Sequence, residues 1–148
     1  MSHTEPLRMP DLETAGAFVD IAGLRLTHTA GDLVEGTIDL GAQHHQPWGL
    51  VHGGVYTTAI ESAASIGASI AVSERGLAVV GINNNTNFIR SMTAGRVRLV
   101  ATPVQQGRTQ QLWEVRISDS DGRLVATGQV RLQNVEPRKL PEPGKQEQ

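Results

Sequence analysis

Short stretches of alternating hydrophobic and polar residues lie on both sides of one long apolar segment. Before it, residues 24–30 and 33–40 alternate in this way around a turn at residues 30–32, which predicts a β-hairpin. After it, four more stretches are predicted to form strands: 77–91, 95–107, 108–120 and 122–135. The residues predicted to share one buried face of the last two strands are Trp113, Val115, Ile117, Leu124, Ala126, Val130 and Leu132.

The long segment itself, residues 54–75, is predicted to form a helix that ends before Gly76. Its alanines and isoleucines are spread around most of the helix circumference, which indicates a helix enclosed by other structure. Strands without a repeating βαβ order are typical of an antiparallel sheet. The pattern therefore predicts an α+β fold, with an antiparallel sheet wrapped around one long central helix.

The two ends of the chain differ from the middle. Residues 1–16 and 136–148 are polar and contain prolines, so they have too little apolar surface to offset the entropy of ordering them. We expect a flexible N-terminal segment, one domain over residues 17–135, and a flexible C-terminal tail. One domain is also the usual organisation for a chain of 148 residues.

Composition excludes several classes of protein. The chain has 13 basic and 15 acidic residues without long blocks of like charge, which argues against a nucleic-acid partner. It has no cysteine, so a disulfide scaffold, a cysteine-ligated metal and a cysteine nucleophile are excluded. No signal peptide is recognised, and no stretch is expected to span a bilayer. We expect a cytoplasmic protein without a membrane partner.

A single carboxylate, Glu61, stands within the predicted helix among alanines and serines. Thr57, Glu61 and Ser65 are spaced by four and form one polar line, in which either hydroxyl could orient the carboxylate. The line could simply face solvent, but the helix lacks the lysines and arginines of an exposed face. A buried, isolated carboxylate is costly, so we favour a functional role.

The helix begins at His52-Gly53-Gly54, with none of the usual serine, threonine, aspartate or asparagine caps. Free amide groups beside glycines make a site for a carbonyl oxygen or an oxyanion, although a plain glycine turn has the same sequence. Gly53 and Glu61 are separated by roughly 12 Å along a helix. One substrate carbonyl cannot contact both, so the pair predicts a site shared between two subunits of a homodimer.

The stretches WGLVHGGVYTTAIESAAS, VVGINNNTNFIRS and GQVRLQN resemble the hotdog-fold acyl-CoA thioesterases of the phenylacetate-degradation (PaaI) type, including their 4-hydroxybenzoyl-CoA thioesterase branch. The resemblance implies hydrolysis of an acyl-CoA, without a cofactor, in a dimer that pairs into a tetramer. It implies Glu61 as nucleophile or general base and Gly53 as the amide that polarises the thioester carbonyl. It also implies that Gln46 holds the thioester and that Ser65 assists the carboxylate or water.

The sequence offers further candidate residues for substrate binding. Three consecutive asparagines, residues 83–85, oppose strand propensity, so they form either a bulge or pocket-lining amides, and Asn84 is our candidate among them. The remaining candidate substrate-binding residues are His52, Gly54, Trp48 and, for the CoA phosphates, Arg108, preferred over Arg90, Arg96 and Arg98. His44, His45 and His52 lack an accompanying acid at ligand spacing, so we expect no metal.

Two other classes of function use the same fold. A hotdog hydratase or dehydratase is disfavoured because the His-Phe-Pro-Gly motif of such relatives is missing. A non-catalytic acyl-CoA sensor is disfavoured because Glu61, Gly53 and Gln46 are all present and no DNA-binding module is attached. Whether the acyl group is aromatic or aliphatic does not follow from the sequence.

Overall fold

The computed structural model describes residues 16–141. The elements are α1 (Ala17–Ala22), β1 (Arg25–Thr29), β2 (Val34–Leu40), α2 (Gly53–Ser73), β3 (Ala78–Phe88), β4 (Gly95–Gln106), β5 (Gln110–Ser118) and β6 (Leu124–Val135). Short 3₁₀ turns occupy Ala42–His44 and Pro137–Lys139. Most of the two terminal segments predicted to be flexible lies outside the described residues.

Six strands form one antiparallel sheet in the order β1-β2-β4-β5-β6-β3. Helix α2 packs against β2 to β6, and buried apolar residues of α2, β2, β4, β5 and β6 form one hydrophobic cluster. The prediction of an α+β fold with a sheet around one central helix is confirmed. Strand β3 is an edge of the sheet, and within residues 16–141 it pairs only with β6.

The strand and helix boundaries follow the sequence pattern closely. Three other features differ from what the sequence predicts. Helix α1 was not predicted, because six residues are too few to show a helical period. In β6 the register shifts beside Ser118, so Val125 is fully buried and Leu124, predicted to be buried, is only partly so. By length and composition, α2 could cross a membrane, contrary to expectation, but half of its most apolar window is buried inside the protein.

Gly67 lets the middle of α2 approach the largest core side chain. Trp113 is fully buried, and its Nε1 donates a hydrogen bond to Gln111 Oε1 at 3.0 Å. A Cβ added at Gly67 would lie only 2.7 Å from Trp113 Cζ3, against a ring that is fully buried and held by its hydrogen bond. The close approach of helix and sheet therefore depends on a residue without a side chain.

We expect Gly67→Ala to lower the free energy of unfolding by about 1–3 kcal/mol, the range for overpacked cores. Without this contact, alanine would stabilise the helix by about 0.5–1 kcal/mol relative to glycine. Chemical denaturation of Gly67→Ala beside Ser69→Ala, a half-buried position on the same helix, measures the difference. A Gly67→Ala protein as stable as wild type would show that Trp113 does not fill this space.

Candidate active site

A cavity of about 300 Å³ opens beside the first turn of α2. Its lining comes from three segments: the loop before α2, the start of α2, and the residues at and after the end of β3. The residues that line it include Gln46, Gly53, Tyr56, Phe88, Arg90 and Met92. The cavity is therefore mostly apolar, with a backbone amide, a side-chain amide and a guanidinium at its surface.

The start of α2 leaves one backbone amide free at this cavity. His52 is the N-cap: its Nδ1 accepts a hydrogen bond from Gly54 N at 2.8 Å, and its carbonyl oxygen accepts one from Val55 N at 3.0 Å. The expectation of an uncapped helix was therefore wrong, because imidazole replaces the usual cap. Within the described residues Gly53 N donates no hydrogen bond, and its amide remains available to an acceptor in the cavity.

A tight turn before α2 holds Gln46 at the cavity. Gln46 N donates to Leu50 O at 2.8 Å, Gly49 has a left-handed φ of 79°, and His45 pairs with Val51. Gln46 Oε1 accepts a hydrogen bond from Trp48 N. The indole of Trp48, by contrast, is 89% exposed and does not line the cavity in this chain.

Glu61 lies two turns further along α2, half-buried against β3. Its Oε2 accepts a hydrogen bond from Asn84 Nδ2 at 3.0 Å. The suggestion that Thr57 or Ser65 orients this carboxylate is not supported: the Thr57 hydroxyl donates to Gly53 O at 3.3 Å, and no hydrogen bond within residues 16–141 joins Ser65 to Glu61. The orienting residue comes from the sheet, which helical spacing alone could not reveal.

The structure does not bring Gly53 and Glu61 to one place in a single chain. Glu61 is absent from the cavity lining, and the two residues are separated by about 12 Å of helix. Asn84 lies with Glu61, whereas Gln46 lies with Gly53. The candidate residues therefore form two groups, one at the start of α2 and one at its middle.

The positions of the arginines do not follow the preference for Arg108 that the sequence suggested. Arg108 lies in the β4–β5 turn, where its carbonyl oxygen accepts a hydrogen bond from Arg75 beyond the far end of α2. Arg96 and Arg98 form ion pairs with Asp39 and Glu35 at 2.7 Å. Arg90 is the arginine that lines the cavity.

The three histidines near the site have structural partners. His44 is buried, with Nδ1 accepting from Gly41 N at 3.1 Å and Nε2 bonded to Ala22 O at 3.0 Å. His45 Nε2 bonds to Thr93 O at 2.6 Å. Across residues 16–141, no three histidine, aspartate or glutamate side chains converge as metal ligands would.

Tyr56 is a buried residue of the cavity wall whose hydroxyl has no hydrogen-bond partner in the described part of the chain. Burial raises the pKa of Tyr56 to about 12, from an ordinary value of 10. At a pH between these two pKa values, the Tyr56 phenol is ionised in the unfolded chain and protonated in the folded chain. Rising pH therefore favours unfolding in this range.

Between pH 10 and pH 12, we expect the free energy of unfolding of wild type to fall by about 2 kcal/mol more than that of Tyr56→Phe. At neutral pH, Tyr56→Phe should be at least as stable as wild type, because it removes an unpaired buried hydroxyl. Denaturant titrations of both proteins across the alkaline range measure the difference. Identical losses in the two proteins would mean that another group is responsible.

A single long helix packed against a six-stranded antiparallel sheet is the arrangement of the hotdog fold. The chain belongs to the thioesterase superfamily, whose family model matches residues 49–126. The predicted fold, family and enzyme class, a thioester hydrolase, are thereby confirmed.

Individual relatives agree with this membership. The chain is 47% identical over 118 residues to Rv1847 of Mycobacterium tuberculosis, an esterase by name, covering 78% of this chain and 84% of that protein. It is 35% identical over 115 residues to the 1,4-dihydroxy-2-naphthoyl-CoA hydrolase of Escherichia coli, covering 78% and 84%. The solved structure of Rv1847 superimposes with a TM-score of 0.78 over 80% of this chain and 96% of that chain.

Proposed function

We propose that this protein hydrolyses an acyl-CoA thioester to a free acid and CoA, at a site formed by Gly53 of one subunit and Glu61 of the other. The observation that carries the proposal is the arrangement along α2. A free amide faces a cavity at the start of the helix, and a held carboxylate lies about 12 Å away. Two antiparallel copies of α2 would bring each amide to the other copy's carboxylate.

The edge strand β3 supports a dimer of this kind. It is 11 residues long and pairs with only one strand among the described residues, and the exposed fraction of Ile82 is 52%. A long, partly apolar edge normally pairs with another strand or is covered. A two-fold axis beside β3 would extend the sheet across two subunits and place the two α2 helices antiparallel. A tetramer built from two such dimers, as the family resemblance implies, is part of the proposal.

The chemistry requires few groups because a thiolate leaves readily. Gly53 N–H donates to the thioester oxygen and stabilises the negative charge that develops there. The Glu61 carboxylate either attacks the carbonyl carbon, giving an anhydride that water then hydrolyses, or removes a proton from the attacking water. In both routes the carbon–sulfur bond breaks and CoA leaves as a thiolate. No metal or cofactor takes part in the proposed reaction.

The cavity suggests where the acyl group and CoA would lie. Tyr56, Phe88 and Met92 supply apolar surface for the acyl group, and Gln46 is placed to hold the thioester. Arg90 offers a guanidinium for a CoA phosphate. A relative that hydrolyses 1,4-dihydroxy-2-naphthoyl-CoA supports an aromatic acyl group, although a cavity of about 300 Å³ also accepts short aliphatic chains.

A thiol-release assay with a panel of aryl-CoA and fatty acyl-CoA thioesters tests the proposed function. We expect CoA release from at least one class of thioester, and the ratio of kcat/KM values across the panel then defines the acyl preference. Binding of these thioesters without any release would overturn the proposal and favour an acyl-CoA sensor.

A further inference from the structure

A bulge at Ile82 in β3 places both Gly81 and Asn84 on the helix side of the sheet, whereas a regular strand would place only one of these two there. Gly81 pairs with buried Leu132, and Asn84 pairs with buried Val130, so both face α2. Residues three apart lie on opposite faces of a regular strand. The register shift at Ile82 gives Asn84 the inward position that Asn83 would have in a regular strand, so one side chain on α2 contacts both Gly81 and Asn84.

Both contacts are made by the two carboxylate oxygens of Glu61. Oε2 accepts the hydrogen bond from Asn84 Nδ2 at 3.0 Å, while Oε1 occupies the space that a Cβ at position 81 would need. Oε1 accepts no hydrogen bond within residues 16–141. The carboxylate is thus held through one oxygen, and its other oxygen is left without a hydrogen-bond partner in the described part of the chain.

Neighbouring groups determine which way the amide of Asn84 points. Its Nδ2 faces two acceptors, Glu61 Oε2 and Thr57 O at 3.3 Å, and its Oδ1 accepts from the Thr86 hydroxyl at 2.7 Å. A flipped amide would set its oxygen against both acceptors. Gly128, opposite Thr86, leaves room for this hydroxyl, because a Cβ there would come within 3.1 Å of Thr86 Oγ1.

We propose that Asn84 is a positioning residue that holds Glu61 by Oε2 and leaves Oε1 as the reacting oxygen, and that Thr86 fixes the amide of Asn84. The inference rests on the proposed role of Glu61 and adds two residues that the chemistry itself does not require. Asn84 therefore acts through Glu61 and not through contact with the substrate. Its removal should slow the chemical step and leave substrate binding intact.

Asn84→Leu replaces the amide with a side chain of similar size that has no hydrogen-bond donor. It should lower kcat by about 10- to 100-fold, the range for loss of a hydrogen bond to a charged group. Its KM should stay within about threefold of wild type. Asn85→Leu, the same change on the other face of β3, should keep kcat within about twofold. Thr86→Val should lower kcat by about 3- to 10-fold, and Thr86→Ser should restore it. Circular dichroism and size-exclusion chromatography check that each variant folds and assembles as wild type does. If Asn84→Leu does not fold, Asn84→Ser takes its place.

A double variant separates positioning from a general structural effect. If Asn84 acts only through Glu61, adding Asn84→Leu to Glu61→Ala should not lower the residual rate further. A folded Asn84→Leu with wild-type kcat, or additive losses in the double variant, would overturn the positioning role. If instead Glu61→Ala alone keeps full activity, the proposed function fails.

Discussion

Glu61→Gln is expected to lower kcat for thioester hydrolysis by about 10²- to 10⁴-fold, the contribution typical of a positioned base. Glutamine has the same shape, and its side-chain oxygen can still accept the hydrogen bond from Asn84 Nδ2. The position of the side chain is therefore kept, and the negative charge is lost. Steady-state kinetics with the best thioester from the panel measure the effect, and KM should change little.

Glu74→Gln provides a matched control for this experiment. Glu74 is exposed at the C-cap of the same helix, about 20 Å from Glu61, and the change removes the same charge. It should leave kcat within about twofold of wild type. Equal losses in the two variants would indicate an effect of charge on the whole protein and would remove Glu61 from its proposed role.

Gly53→Pro is expected to lower kcat by about 10²- to 10³-fold, the effect of losing one oxyanion donor. Proline has no N–H, and it is well accepted at the first position of a helix. The preceding residue, His52, has φ −64° and ψ 131°, which suits a residue before proline. Since Gly53 N donates no hydrogen bond within the described residues, the substitution should remove the donor at little cost in stability.

Gly53→Ala separates the loss of the donor from the addition of a side chain. Both variants introduce a Cβ that would lie 2.8 Å from Phe88 Cζ, but Phe88 is 58% exposed and its ring can move. Alanine keeps the N–H, so its kcat should exceed that of Gly53→Pro by at least about tenfold. Similar kcat values in the two variants would mean that crowding, and not the amide, explains the loss.

Much of the fold could be predicted from local patterns. The alternation in residues 24–40 and the small residues of α2 identified the hairpin, the central helix and the enclosing sheet. The bulges were harder to place, because they depend on pairing between strands distant in sequence. Val125 therefore replaced Leu124 in the core, and the irregularity predicted near the three asparagines occurs at Ile82.

The candidate site could be predicted only in part. The pairing of a glycine-started helix with one carboxylate was visible in the sequence, whereas Gln46 was expected only from the family resemblance. The role of His52 as a cap was not, since imidazole is an uncommon N-cap. The choice of Arg90 over Arg108, and the contact of Asn84 with Glu61, depend on which turn or strand packs against which part of α2.

Complementation between subunits tests the shared site most directly. Glu61→Gln and Gly53→Pro chains, each nearly inactive alone, are co-expressed with different tags, and the mixed dimers are counted by native mass spectrometry. In random mixing, half of the dimers are mixed and each has one intact site, so activity should recover to about a quarter of wild type. If Gly53 and Glu61 act within one chain, mixed dimers form without any recovery, and that result would contradict the shared active site.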